Sequence, residues 1–197
     1  MAMMQRLMLF LMAAVFVTAA AAAVTAPTMQ LRTSLDAVIT TLKDSAMAPA
    51  ARRQRIADLI QQRFDFPAMS QRALSTNWKK ASAAQRRQFI DKFSQLILAT
   101  YMGRIEAYTD ESIEFVAERV KGNKAEVSTI IVSGNTEIPI RYKMRRKGDD
   151  WLVYDVVIEE VSLIRNYRSS YRDIVKKEGI GGLLARMDEK LAMLEHR

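Results

Sequence analysis

The 197-residue sequence has no cysteine, one histidine, and no second apolar run long enough to cross a bilayer after its opening stretch. Without cysteine there is no disulfide, no thiolate nucleophile and no cysteine-held zinc, so the fold must stand on packing alone. The one histidine, His196, is the penultimate residue, which leaves neither a Ser-His nor a Cys-His pair on a firm element. Acid-base chemistry would then fall to a carboxylate, and Asp155, a charge inside an apolar strand, is the best candidate for a raised pKa. The same surroundings suit a structural ion pair or hydrogen bond equally. No catalytic residue and no metal site is predicted. Internal repeats and low-complexity linkers are also missing.

What is present begins with Arg6 and a stretch from Leu7 through Thr28 that carries no charge. A short positive region, an apolar segment from Leu7 to Val17 and the small residues Ala21-Ala22-Ala23 form the layout of a secretory signal. Cleavage is expected near Ala23, since a cut after Ala26 would place the rigid ring of Pro27 next to the scissile bond. An uncleaved anchor is the alternative, but Leu7 to Ala23 is 17 residues with an alanine-rich second half, at the lower limit for a spanning helix. The predicted organisation is therefore a signal peptide over 1–23 and one domain over 24–197.

The formal net charge is +8, and +7 by the same count once Arg6 leaves with the signal. A basic surface suits anionic partners. Nucleic acid is disfavoured, because Arg52-Arg53, Lys79-Lys80, Arg86-Arg87 and Arg145-Arg146-Lys147 are scattered, lack an aromatic stacking strip and follow an export signal. Outside the inner membrane, anionic headgroups or acidic proteins fit better.

Helical spacing joins Leu31, Leu35, Val38, Ile39 and Leu42, then Ile56, Leu59, Ile60 and Phe64. Pro67 opens a short third helix containing Met69 and Leu74. Ser82-Ala-Ala-Gln85 reads as a capping box before a long helix through Phe89, Phe93, Ile97, Tyr101 and Ile105. Beyond Tyr108 the period drops to two, with turns at Gly122-Asn123, Gly134-Asn135 and Gly148-Asp149. Four antiparallel strands follow at about 112–120, 124–132, 136–146 and 151–161.

The third strand alternates Ile138, Ile140, Tyr142 and Met144 with Pro139, Arg141, Lys143 and Arg145, and its proline suggests an edge or a bulge. The fourth is apolar on both faces, as if covered twice. Ser162 caps a fifth helix, and Gly179 to Gly182 breaks it from a last one. The class is α+β, a four-stranded antiparallel sheet with about six helices.

In order and spacing, Phe64-Asp-Phe-Pro-Ala-Met69, Ala73-Leu74 with Trp78, Gln85-Arg-Arg-Gln-Phe89, Phe93 with Tyr101, Trp151-Leu-Val-Tyr-Asp-Val156, Val161-Ser-Leu-Ile-Arg-Asn-Tyr-Arg168 and Gly179-Ile-Gly-Gly-Leu183 resemble the MlaC, or toluene-tolerance, family of periplasmic phospholipid-binding proteins. Two positions depart from it: Ser75 and Glu160 stand where that family often has glycine.

The resemblance implies a twisted sheet wrapped by helices around an apolar cavity, with phospholipid as cargo and no cofactor. It implies a periplasmic protein shuttling between an outer-membrane lipoprotein complex and an inner-membrane ABC transporter, in maintenance of outer-membrane lipid asymmetry, and a monomer suits such a diffusing shuttle. A sister group linked to hopanoid transport and a small cavity enzyme are the alternatives.

Expected lining residues are Phe93, Ile97, Tyr101 and Ile105 on the long helix, facing Ile138, Ile140, Tyr142, Tyr154, Val156 and Ile158 on the sheet. Each could equally be ordinary core. Met69, Met102 and Met144 could adapt a cavity or simply fill core. Arg141, Lys143 or Arg145 could meet a headgroup or form a solvated row. Arg168 is expected to pair with Asp155 or Glu159.

Overall fold

The computed structural model describes residues 26–108 and 111–195. The expected signal segment and His196 lie outside them.

Three of the four prolines open helices, where a missing N–H costs nothing. Helix α1 spans Pro27–Lys43, α2 Pro49–Arg63 and α3 Phe66–Leu74. The first turn of α1 has no side-chain cap of its own; instead the Thr28 amide donates to Glu118 Oε2 at 2.8 Å, which also places a carboxylate at the positive helix end. Arg63 closes α2 by donating to Ser34 Oγ and Gln30 Oε1 at 2.8 Å each and to the Trp151 carbonyl at 2.9 Å. Burial lowers the pKa of this guanidinium, and nearby Asp150 opposes the effect. Asp65 caps α3 by accepting from the Ala68 amide at 3.0 Å.

A 3-10 helix, Ser75–Lys79, leads to α4, Ala83–Glu106. Both bonds of the predicted capping box are present: the Gln85 amide donates to Ser82 Oγ, and the Ser82 amide to Gln85 Oε1. The last helix, α5 (Leu163–Glu195), is broken once, at Gly179, where φ is 71°. The break is confined to that glycine. Ser162 Oγ caps α5 by accepting from the Arg165 amide, as its position predicts.

Strands β1 (Ser112–Lys121), β2 (Lys124–Ser133), β3 (Thr136–Lys147), β4 (Asp150–Ile158) and β5 (Val161–Ser162) form one antiparallel sheet in the order β1-β2-β3-β4-β5. The fifth strand is a difference from the sequence reading, which runs β4 on to Val161. The chain instead turns back at Glu159-Glu160, both with positive φ (47° and 66°), a conformation that sequence reasoning assigns to glycine or asparagine. Pro139 is also differently placed, standing in a central strand. Its carbonyl accepts from the Glu159 amide just past the last β4 pair, so its donor-less nitrogen points where the β4 ladder has ended.

Strand β4 is covered on both faces, as predicted. Helix α1 sets Leu31 on the inner face with Met144, Trp151 and Val153, while α3 and α5 pack against the other. Between α2 and α3, the Asp65 amide donates to the Val153 carbonyl at 2.8 Å.

Candidate functional site

Cross-strand register gathers five of the ten expected lining residues. Ile138 lies opposite Ile131, Ile140 opposite Thr129 and Ile158, and Tyr142 opposite Val127 and Val156. Ile138, Ile140, Tyr142, Val156 and Ile158 therefore share the inner face. That face is finished unevenly. Val127, Met144 and Val153 near α1's first turns have no exposure, whereas Ile131, Ile138, Ile158, Phe115 and Leu35 are only partly buried. Arg32 lays its guanidinium over Phe115, 4.0 Å from the ring centre. Burial pushes the Tyr142 phenol up to about 12.

The sixth sheet residue, Tyr154, goes elsewhere. It is the extra residue of a β-bulge, because Lys143 pairs with Asp155 and Met144 with Val153. The bulge turns its ring toward the helices, under the Arg72 guanidinium at 4.2 Å. Strict alternation cannot anticipate this.

The four helix residues do not face the sheet as a single wall. Phe93 is fully buried among helices, stacked on Phe89 with centroids 5.5 Å apart and edge-on to Tyr167 at 5.2 Å. Ile97 joins the same cluster with Leu183 and Met187, and Tyr101 packs at its margin. Tyr171 is in this cluster too, its hydroxyl buried without a hydrogen-bond partner among the described residues and its pKa driven up by desolvation. Ile105 is half-buried one residue before Glu106. That carboxylate accepts two hydrogen bonds from Arg53 of α2, at 2.9 and 2.6 Å, which lower its pKa.

The interior thus consists of a helical cluster and a sheet cluster, with Phe64 packed against both. Met69 is fully buried in the helical cluster and Met144 in the sheet cluster, each as core. Met102 is buried as well.

The cationic row of β3 projects from the outer face, opposite the apolar row, and each member has a carboxylate. Arg141 pairs with Glu160 at 2.6 Å, Lys143 lies 3.7 Å from Asp155, and Arg145 donates to Asp65, which is 3% exposed. Asp155 is 6% exposed and also accepts from Ser162 Oγ at 2.8 Å and the Ile164 amide at 3.1 Å. These bonds occupy it structurally. Arg168 differs from expectation: it donates to the Arg72 carbonyl at 2.9 Å rather than to an acid of the sheet. Among the described residues no group of His, Cys, Asp or Glu could hold a metal, and no helix is long and apolar enough to cross a membrane.

Set beside known proteins, residues 32–189 match the profile of the family described as MlaC protein. The chain is 28% identical over 124 residues to the intermembrane phospholipid transport system binding protein MlaC of Haemophilus influenzae, spanning 60% of this chain and 58% of that protein. It is 21% identical over 103 residues to the toluene tolerance protein ttg2D of Pseudomonas putida, spanning 51% and 48%. The matches thus cover about half the length of these curated relatives. A solved phospholipid-binding protein from Ralstonia solanacearum, in complex with a phospholipid, superposes with a TM-score of 0.79 at 24% identity over 87% of this chain and 99% of the other. The fold is shared.

Proposed function

The chain belongs to the MlaC family, and on that premise we propose that it is a periplasmic carrier that shelters the acyl chains of a phospholipid against the inner face of its sheet. The observation that carries this reading is the half-buried apolar end of that face, where Ile131, Ile138, Ile158, Phe115 and Leu35 are not sealed by the described residues. A sealed core would have buried them.

The energetics explain why such a surface is useful. Each methylene removed from water is worth about 0.8 kcal/mol, so two chains of about sixteen carbons represent on the order of 25 kcal/mol. Lipid cannot cross an aqueous gap unaided at that cost, and a carrier must offer a lining nearly as apolar as the membrane. Ile138, Ile140, Tyr142, Val156 and Ile158 supply it from the sheet. Phe93, Ile97, Tyr101 and Tyr154 belong to or pack against the helical cluster and act as packing residues behind it, and Ile105 lies half-buried near the end of α4. Arg141 and Lys143 lie on the opposite face with carboxylate partners, so this reading gives them no headgroup role.

Binding alone only balances the membrane's own affinity. Direction comes from an outer-membrane lipoprotein complex and an inner-membrane ABC transporter, between which the protein moves as a monomer after loss of residues 1–23. The name of the Haemophilus influenzae relative supports phospholipid transport, and nothing in the fold or the relatives favours hopanoid transport or a cavity enzyme.

Native purification followed by solvent extraction and mass spectrometry tests this. The expected yield is one phospholipid per protein. A protein that is empty and also takes no lipid from vesicles overturns the proposal.

A further inference from the structure

The outer face of the sheet carries a second feature, independent of the lipid reading. At the end where the β1–β2 and β3–β4 turns meet, an open groove of about 670 Å³ is lined by Arg119, Lys121, Lys124, Glu126, Lys143 and Tyr154. A smaller hollow of about 240 Å³ shares Arg119 and Glu126 with it and extends toward Arg141. Lys143 and Arg141 already have carboxylates. Arg119, Lys121 and Lys124 do not: among the described residues no ion pair or hydrogen bond engages their side chains. With Glu126 as the one carboxylate among the groove's lining residues, these three cations leave it with an excess of positive charge, which an anionic partner balances.

We propose that this groove is a docking site for an acidic segment of a partner protein. Its charge pattern favours that occupant. Glu126, set opposite Arg119 on the neighbouring strand, repels a compact phosphate but lets an extended segment pass with its carboxylates spaced around it. The Tyr154 ring adds an apolar wall, held in place by the Arg72 guanidinium over it. The groove is on the face opposite Ile138 and Ile140, so docking here leaves the inner face free.

Fluorescence anisotropy with a labelled deca-glutamate peptide tests the assignment on the purified full protein, compared with the combined variant Arg119→Glu, Lys121→Glu and Lys124→Glu. Its control carries the same change of charge elsewhere, Arg55→Glu, Arg87→Glu and Lys176→Glu. The groove variant is expected to bind at least about tenfold more weakly, and the control within about twofold of the parent. Binding should weaken as salt rises from about 50 to 150 mM. No binding at the lower salt, or equal loss in both variants, overturns the proposal. So does groove-dependent binding to vesicles containing phosphatidylglycerol without binding to the peptide, which would make the face a membrane contact. Circular dichroism checks folding of each variant, and if the glutamate set does not fold, glutamine at the same three positions replaces it with the same expected direction.

Discussion

Phe89 and Phe93 on α4 have no solvent exposure, while Ile138 and Ile158, on central strands of the sheet, stay half-buried although they are no more polar. The helical cluster is closed by aromatic stacking and by two helices locked side by side, with Lys92 of α4 paired to Asp188 of α5. The sheet cluster is closed at one end by Leu31 and Trp151 and left incomplete at the other. Apolar composition alone therefore does not separate core from binding surface. The separation lies in whether a neighbouring element arrives to finish the packing.

The contrast can be broken most forcefully in the closed region. Phe93→Ala removes a fully buried ring and should cost about 3–5 kcal/mol of stability in urea unfolding, while phospholipid per folded molecule stays unchanged. If lipid load falls in step with stability, the helical cluster belongs to the site. In the open region the pattern should invert. Ile138→Asp places a charge on the proposed tail surface and should weaken lipid retention by roughly 2–4 kcal/mol, read as loss of extracted phospholipid, with a small change in melting temperature. Equal lipid with a large drop in melting temperature would make Ile138 ordinary core. The choice of Ile138 matters, since Ile140 and Ile97 are buried and a charge there would disturb the fold first.

Alkaline unfolding compares the two regions directly, because each holds a buried phenol: Tyr142 under the sheet and Tyr171 among the helices. Both pKa values are raised by desolvation, Tyr142 to about 12. A raised folded-state pKa contributes stability that is complete below the unfolded value near 10 and is lost as pH rises through the folded value. Stability should fall by about 1.4 kcal/mol per pH unit for each phenol between pH ~10 and ~12. Tyr142→Phe should remove the sheet's share of that slope, and an unchanged slope would show Tyr142 to be hydrated.

The smallest effect concerns one strained residue in each region. Ser75, after α3, has φ of 52°, and Glu160, in the β4–β5 turn, has φ of 66°. Ser75→Gly and Glu160→Gly should each stabilise by about 1 kcal/mol. Glu160→Gly also loses the Arg141 ion pair, which is largely exposed on the Glu160 side and contributes little. A loss of stability in either variant would mean that the side chain outweighs the backbone.

Those two positions also show how far the sequence could be read. The resemblance marked both as places where glycine is usual, and the backbone there retains a glycine-like conformation with serine and glutamate in place. The Ser82 and Gln85 capping box, the two-faced β3 and the doubly covered β4 were legible because each rests on local period or spacing. The β5 hairpin was not, since Glu159-Glu160 carries no turn-forming residue. Tyr154 was misplaced because a one-residue bulge inverts alternation, and a bulge depends on the partner strand. The division into two clusters was invisible for a related reason: periodicity states which side of an element is apolar, not which other element it meets.

The hydrogen bonds that tie the first helices to the sheet have a bearing on how the chain acquires its shape. Thr28 waits for Glu118, Arg63 for Trp151 and Asp65 for Arg145, partners 90, 88 and 80 residues further along. A polypeptide growing from its amino end completes none of these until well over half of it exists. Contacts of such long sequence separation slow folding, and the helices made first lack the surface that would hold them. The nascent amino-terminal half should accordingly persist as an open, protease-sensitive coil until β4 emerges.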